Sequence, residues 1–313
     1  LGDLNKGQEI HSEIERHGHL KGDLSIGSAL IEMYAKCGLS NRAREVFDNL
    51  LAQDVVIWST LIEGYIENEH NEEALECYEH MQLAHIPPNS ITFVSSLKAC
   101  GSIGAIKKGE EIHANIERKG LLEGDIIIGN TLVDMYVKCG SLPMAQQVFE
   151  KLCDRDVVSW TVLMTGYAQQ GQSENVFDIF DRMVGEGTAP NMVTFIVILS
   201  ACNRRGLYSM SQSYLEAMSK DYGIAPSNKH HNCVIDLLGK AGQLDKAVNV
   251  LKENPFHYTN LVACHAILGA CRKWGDVNLA REAFEHALHL DEKDSVAYIL
   301  MSHVYADVQP NVS

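Results

Sequence analysis

The sequence has little proline, 7 residues in 313, and only 3 tryptophans. No apolar run approaches the roughly 18 residues that a membrane-spanning helix needs, so no span is expected. No C-x-x-C pair occurs, which removes the zinc ribbon and the dithiol redox motif. No phosphate-cradling glycine loop and no nucleophile motif is present. Cations are scarce: 26 Lys and Arg against 41 Asp and Glu, a formal net charge of −15. Such a balance argues against non-specific attraction of nucleic acid by the whole molecule, and leaves the distribution of charge to decide what one face does. Glu72, Glu73, Glu76 and Glu79 crowd into one helical stretch, where they would form an outer wall. The nine cysteines recur by position: Cys37 with Cys139, and Cys100 with Cys202 and Cys271. Such recurrence fits small buried hydrophobes, reduced and structural.

What the sequence has is repetition. In Val157–Asn191 apolar residues fall at Trp160, Leu163, Met164 and Tyr167, the spacing of one helical face. After Gly171 the spacing restarts at Val176, Ile179, Phe180 and Met183, and Gly185, Gly187 and Pro190 end the second helix. Val55–Asn89 repeats this at an offset of 102 residues. The same offset relates Gly104–Asp125 to Gly2–Asp23 and Leu132–Gly140 to Leu30–Gly38, with a looser copy at Val234–Gly242. A two-helix unit cannot bury both its stripes alone, so units must stack into an all-α solenoid without strands. The expected divisions are a partial long unit over 1–23, then 24–54, 55–89, 90–125, 126–156, 157–191, 192–227 and 228–260. A different pair of motifs covers 261–313, the last one partial. Residue 1 falls inside a repeat, so the sequence is expected to be a piece of a longer precursor, and the missing leader carries no meaning.

The stretches YAKCG, DVVIWSTLIEGY, DVVSWTVLMTGYAQQG, TFVSSLKACGSIGA, KKGEEIHANIERKG and MSKDYGIAP resemble the plant pentatricopeptide repeat proteins of the PLS class, whose short, standard and long units alternate. From SKDYGIAP through VIDLLGKAGQLDKA to AILGACRKWGDVNLA the chain looks like that class's terminal long and short motifs followed by its E motifs. Ala280–Asp307, with alanines at packing positions, looks like a tetratricopeptide repeat. The resemblance implies a right-handed α-solenoid in a mitochondrion or chloroplast. It implies binding of single-stranded RNA without a cofactor, and a role as specificity factor for cytidine-to-uridine editing. A deaminase or editing accessory protein would meet residues 261–313; no DNA and no membrane partner is implied. Catalysis within these residues is not expected. A zinc deaminase needs H-x-E followed by P-C-x-x-C. His11-Ser12-Glu13 supplies the first, its repeat counterpart His113-Ala114-Asn115 lacks the Glu, and P-C-x-x-C does not occur.

In this family the fifth residue of a unit and its last residue read one base. An acceptor-only Asp suits the ring N–H of uracil or guanine, and the amide donors of Asn suit adenine N1 or cytosine N3. By that analogy Ser28 with Asp54 reads G, Ser59 with Asn89 reads A, Asn130 with Asp156 reads U, Thr161 with Asn191 reads A, and Asn232 with Asn260 reads a pyrimidine. The long units offer Val94 with Asp125 and Ile196 with Ser227, whose aliphatic fifth residues cannot hydrogen-bond. The expected target is 5′-GANUANY. The final short unit is longer than its kin, between Glu253 and Asn260, which puts the assignment of Asn260 in question. Residue two, Val56, Ile127, Val158 or Val193, would sandwich bases, as in the family; its plainer role is a helix-start core residue. Lys36, Lys138 and Lys240, with Arg204, share one position and suit phosphates, or else serve as solvated cations at helix C-termini. His230, His231 and Cys233, and Cys264 with His265, are read as structural rather than as metal ligands. A protein-binding, tetratricopeptide-like scaffold is the alternative. A protein groove gives no reason for Ser, Thr or Asn at residue five together with Asp or Asn at the last residue in five units.

Overall fold

The computed structural model describes residues 4–18, 23–253 and 260–308. These contain eighteen α-helices and no strand. The chain divides into two compact units, 1–166 and 167–313. The segment 254–259, where the extra length of the final short unit is expected, and Gly2, which anchors the match at the start, lie outside the described residues.

In the first unit α1 (Leu4–Arg16) precedes four helix pairs: α2 (Leu24–Lys36) with α3 (Ser40–Asp48), α4 (Val55–Glu67) with α5 (Asn71–Leu83), α6 (Ser90–Ile103) with α7 (Ile106–Arg118), and α8 (Ile126–Lys138) with α9 (Leu142–Lys151). The next helix, α10, runs Val157–Gln169. Each first helix packs on its own second helix and on the following first helix, α2 on α4, α4 on α6 and α6 on α8. The first helices thus make one layer and the second helices another. A tight turn separates the two helices of a pair. Gly140 takes it at φ 79°, a left-handed conformation that a Cβ disfavours, whereas the pair α4/α5 places Glu69 there at φ 62°. Aromatic residues couple successive pairs. Phe47 of α3 meets Trp58 of α4 edge-on at 4.6 Å, and Phe149 of α9 meets Trp160 of α10 at 4.8 Å. Trp160 is fully buried, and burying a ring of the size of Phe alone contributes about 1.5–3 kcal/mol.

In the second unit α11 (Ser173–Gly185) is followed by α12 (Met192–Arg205) with α13 (Tyr208–Lys220), α14 (Asn228–Lys240) with α15 (Leu244–Glu253), α16 (Leu261–Trp274) with α17 (Val277–Leu290), and α18 (Ser295–Val308). Here too the first helices stack, α12 on α14, α14 on α16 and α16 on α18. Leu199, Val234, Leu238, Ile267, Leu268 and Met301 form a continuous core through that layer. Ala280, Ala283 and Ala287 let α17 lie close against it.

All nine cysteines are free thiols. Burial pushes Cys77, Cys100, Cys202 and Cys271 up to about 12, so they stay protonated and inert. Cys153 departs from the expected core role. It follows α9 in an irregular segment and is exposed.

Candidate nucleic-acid interface

The residue that ends each expected unit caps the next first helix. Asp23 accepts from Ser25 N, Asp54 from Ile57 N, Asp125 from Ile127 N, Asp156 from Ser159 N and Asn260 from Ala263 N. Asn89 and Asn191 form reciprocal capping boxes with Thr92 and Thr194, and Ser227 forms one with His230. Capping alone favours Asp, Asn and Ser at these positions. Composition at the last position therefore does not separate an RNA-reading array from a protein scaffold, contrary to the sequence argument.

Capping also orients each side chain. An N-cap must present an oxygen to the backbone N–H, which fixes the amide of Asn89 with Oδ1 inward. That atom takes Thr92 N at 2.9 Å and the Thr92 hydroxyl at 2.8 Å, and Nδ2 points elsewhere with its donors. In Asp156 the capping oxygen Oδ1 takes Ser159 N at 2.8 Å, the Ser159 hydroxyl at 3.0 Å and Asn130 Nδ2 at 3.1 Å, leaving Oδ2 as an acceptor. One capping geometry thus turns Asn into a donor and Asp into an acceptor.

The structure brings these expected fifth-and-last pairs within hydrogen-bond reach: Ser59 with Asn89 at 3.4 Å, Asn130 with Asp156 at 3.1 Å and Asn232 with Asn260 at 2.7 Å. Ser28 instead faces Thr60 Oγ1 at 3.1 Å rather than Asp54. The buried Thr161 donates its hydroxyl to Val157 O at 2.6 Å, while Asn191 caps α12 through Thr194 N at 3.0 Å. Ser59 bonds Val55 O in the way Thr161 bonds Val157 O, which holds the hydroxyl against its own helix. Burial raises the Asp156 carboxyl, but the hydrogen bonds from Ser159 and Asn130 outweigh it and hold the group below its ordinary 3.8. It is ionised at neutral pH and can only accept.

Residue two is not a core residue. Val56, Ile127, Val158 and Val193 are 54%, 64%, 47% and 53% exposed. Ile127 and Val158 come from consecutive first helices and line one pocket of about 320 Å³ with Asn130 and Asp156. Lys98 of α6 lines it too. Sequence reasoning missed Lys98, which sits four residues before the cation position it considered. Missed as well are Ile91, Val262 and Val296, the second residues of α6, α16 and α18, exposed by about half like the other four.

The expected phosphate cations are exposed, but three carry their own counter-charge one turn back. Lys36 pairs with Glu32, Lys138 with Asp134 at 2.8 Å and Lys240 with Asp236 at 2.6 Å. These three acids lie on first helices. Such exposed pairs contribute about 0–1 kcal/mol, so an RNA phosphate can exchange for the carboxylate at small cost. Arg204 is exposed near the end of α12. Among the metal candidates, His230 is buried, with Nδ1 on the Ser227 hydroxyl at 2.8 Å and Nε2 on Met192 O at 2.8 Å. No set of three metal-ligating side chains occurs among the described residues.

Residues 28–55, 130–157 and 230–253 match the PPR repeat, and 53–102 and 155–204 match the PPR repeat family. A mitochondrial pentatricopeptide repeat-containing protein of Arabidopsis thaliana is 38% identical over 96% of this chain and 47% of its own length. The chloroplastic pentatricopeptide repeat-containing protein CRR2 of the same plant is 36% identical over 98% of this chain and 46% of its own. The chain thus spans under half the length of these relatives. Among solved structures, PPR10 in complex with an 18-nt psaJ RNA element superposes with a TM-score of 0.71 at 15% identity, over 98% of this chain and 49% of that one. PPR10 from maize superposes with a TM-score of 0.58 at 18% identity, over 96% of this chain and 49% of that one. The fold is that of these helical repeat arrays, and the chain belongs to the pentatricopeptide repeat family.

Proposed function

We propose that this chain binds single-stranded RNA along its first helices, one base per unit, and that the whole protein directs cytidine-to-uridine editing or related processing of organellar transcripts. The units are taken as 24–54, 55–89, 90–125, 126–156, 157–191, 192–227 and 228–260. The start of a first helix on the first residue of each unit supports that division.

The observation that carries the reading is the pocket between Ile127 and Val158. Two exposed aliphatic side chains on neighbouring helices offer two apolar walls to a flat ring. Between them, Asp156 Oδ2 offers an acceptor to a ring N–H, and Asn130 keeps a second amide hydrogen for a carbonyl after bonding Asp156. Uracil presents both groups on its Watson–Crick edge. No protein side chain has a ring whose edge carries an N–H flanked directly by carbonyl acceptors. The same logic extends to Ser28 with Asp54, Ser59 with Asn89, Thr161 with Asn191 and Asn232 with Asn260, giving 5′-GANUANY. Val56 and Val193 are the corresponding walls elsewhere, and Lys36, Lys138, Lys240 and Arg204 lie where phosphates would pass.

Support from relatives is of two kinds. PPR10 has the same fold and is solved with an RNA element. Relatives carry mitochondrial or chloroplastic designations, which supports a plant organelle for this protein. The chain acts as a scaffold without a cofactor, and a deaminase or accessory protein supplies the chemistry.

Titration against a single-stranded RNA containing GANUANY tests this, with scrambled RNA and the DNA of the same sequence as controls, each at two salt concentrations. Salt-sensitive preference for the RNA is expected. Equal affinity for the scrambled RNA at both salts would overturn it in favour of a protein-binding scaffold.

A further inference from the structure

We infer that the two long units grip the RNA backbone instead of a base, with Lys98 of α6 and Arg204 of α12 as the phosphate-binding cations. The inference rests on the RNA reading above.

Charge is spread unevenly over the first helices. In the short units α2 and α8 each hold one acid and one cation, Glu32 with Lys36 and Asp134 with Lys138. The third short helix, α14, repeats the pair as Asp236 with Lys240 and adds Lys229 at its second position. In the standard units α4 holds Glu63 and Glu67 without a cation, and α10 holds no charged residue. The long units are the reverse. Their α6 carries Lys98 and no acid, and their α12 carries Arg204 and Arg205 and no acid. In a chain of net charge −15 the long first helices are thus local positive stretches.

Availability separates the same helices. Lys36 is bonded to Glu32, and Lys138 to Asp134 at 2.8 Å, so a phosphate arriving there replaces one anion by another and gains little. Arg205 is taken by Glu174 of α11 at 2.7 Å. The cations of α16 are engaged as well, Arg272 by Asp307 at 2.7 Å and Lys273 by Lys240 O at 3.0 Å. Lys98 and Arg204 are exposed, and neither has an ion-pair partner among the described residues.

Lys98 also stands where a phosphate is needed. It lines the pocket between Ile127 and Val158. The two carboxylates that line it too are engaged, Asp134 by Lys138 and Asp156 by Ser159 and Asn130. A base seated between those walls brings its own phosphate to the mouth of the pocket, within reach of a lysine stem. The fifth residues complete the division. Val94 and Ile196 cannot hydrogen-bond a base edge, and a contact to phosphate carries no sequence information. Long units supply affinity, and the other units supply sequence.

The test uses the whole chain and two RNAs, GANUANY and the same RNA with A as its fourth base, over a series of salt concentrations. The variants are Lys98→Gln, Arg204→Gln and, for comparison, Lys36→Gln. All three replace exposed side chains, so melting temperatures are expected to match the parent's. Lys98→Gln and Arg204→Gln should each weaken both RNAs alike, by about fivefold at low salt. Each should lower the slope of log affinity against log salt by about 0.7, the share of one phosphate in a single strand. Preference for U at the fourth base should persist, and Lys36→Gln should cost about twofold or less. Unchanged affinity and slope in both long-unit variants, or an equal loss in Lys36→Gln, would overturn the inference, and a kept preference for U would leave the array reading standing. A loss in Lys98→Gln confined to the RNA with U would make Lys98 a base contact and overturn the inference too. A parent indifferent to the fourth base and to salt would overturn both.

Discussion

An asparagine and an aspartate cap a helix equally well, yet they show a base opposite chemistry, and this separates folding from reading at a single residue. Asp156→Asn should leave thermal stability nearly unchanged, because Asn Oδ1 replaces the capping oxygen that takes Ser159 N. The group left over becomes a donor, so preference at the fourth base should move from U to C in competition binding. Asp156→Ala should lose the cap, about 1 kcal/mol in denaturant titration, and the base preference with it. If Asp156→Asn unfolds more easily by that same amount while preference stays at U, Asp156 is a cap and not a reader. On the other side of the pair, Asn130→Thr should shift the fourth base toward G, since the shorter side chain leaves room for a purine. Protonation imposes a limit. Asp156 is held below its ordinary 3.8. Its contribution is present above that value and is lost as pH falls through the lower folded value, well outside the conditions of binding.

At the scale of helices, the first-helix layer depends on glycines where two backbones approach. A Cβ on Gly64 of α4 would sit 2.7 Å from the Cβ of Ala35 on α2, closer than two carbons can come. Gly64→Ala should gain about 1 kcal/mol of helix propensity and lose about 1–3 kcal/mol to overpacking, for a net loss read as a lower melting temperature. Gly269 of α16 has nothing within 4 Å of its Cβ direction, so Gly269→Ala should stabilise by about 0.5–1 kcal/mol. Opposite signs for one chemical change would show that packing, not propensity, places the glycine in α4. The two-helix pattern was legible beforehand because apolar spacing repeats at a fixed offset, and helices such as Val157–Gln169 and Ser173–Gly185 lie where Trp160 to Tyr167 and Val176 to Met183 point. The pairing of Asn130 with Asp156 was legible from family position, the exposure of Ile127 and Val158 only as one of two options. Capping by the last residues was not drawn from the sequence, although Asp or Asn ahead of an apolar run is its ordinary signature. The contact of His265 with Asp294 was not legible because the tail departs in composition from the units before it.

For the molecule as a whole, acidity and burial combine to make stability depend on pH. The formal charge of −15 at pH 7 keeps the chain repelled from its own copies, and that protection fades toward the pI near 5.3. Over the same range two buried histidines resist the proton. Burial lowers His113, partly offset by Glu117, and burial lowers His230, partly offset by its bond to Met192 O, both from an ordinary 6.5. Below 6.5 the unfolded chain therefore binds protons that the folded chain does not, so stability falls as pH drops through 6.5 and recovers above it. Melting temperature should be lower at pH 6.0 than at pH 8.0, conditions still above the pI. His113→Gln keeps a polar group against Tyr136, which His113 Nδ1 contacts at 2.9 Å, but has nothing to titrate. It should be less stable than the parent at pH 8.0 and lose less between pH 8.0 and 6.0. An equal loss in both proteins would assign the pH dependence to the surface charge alone. A smaller loss in the variant would assign the difference to the buried His113 ring, which meets Tyr136 of α8 from α7.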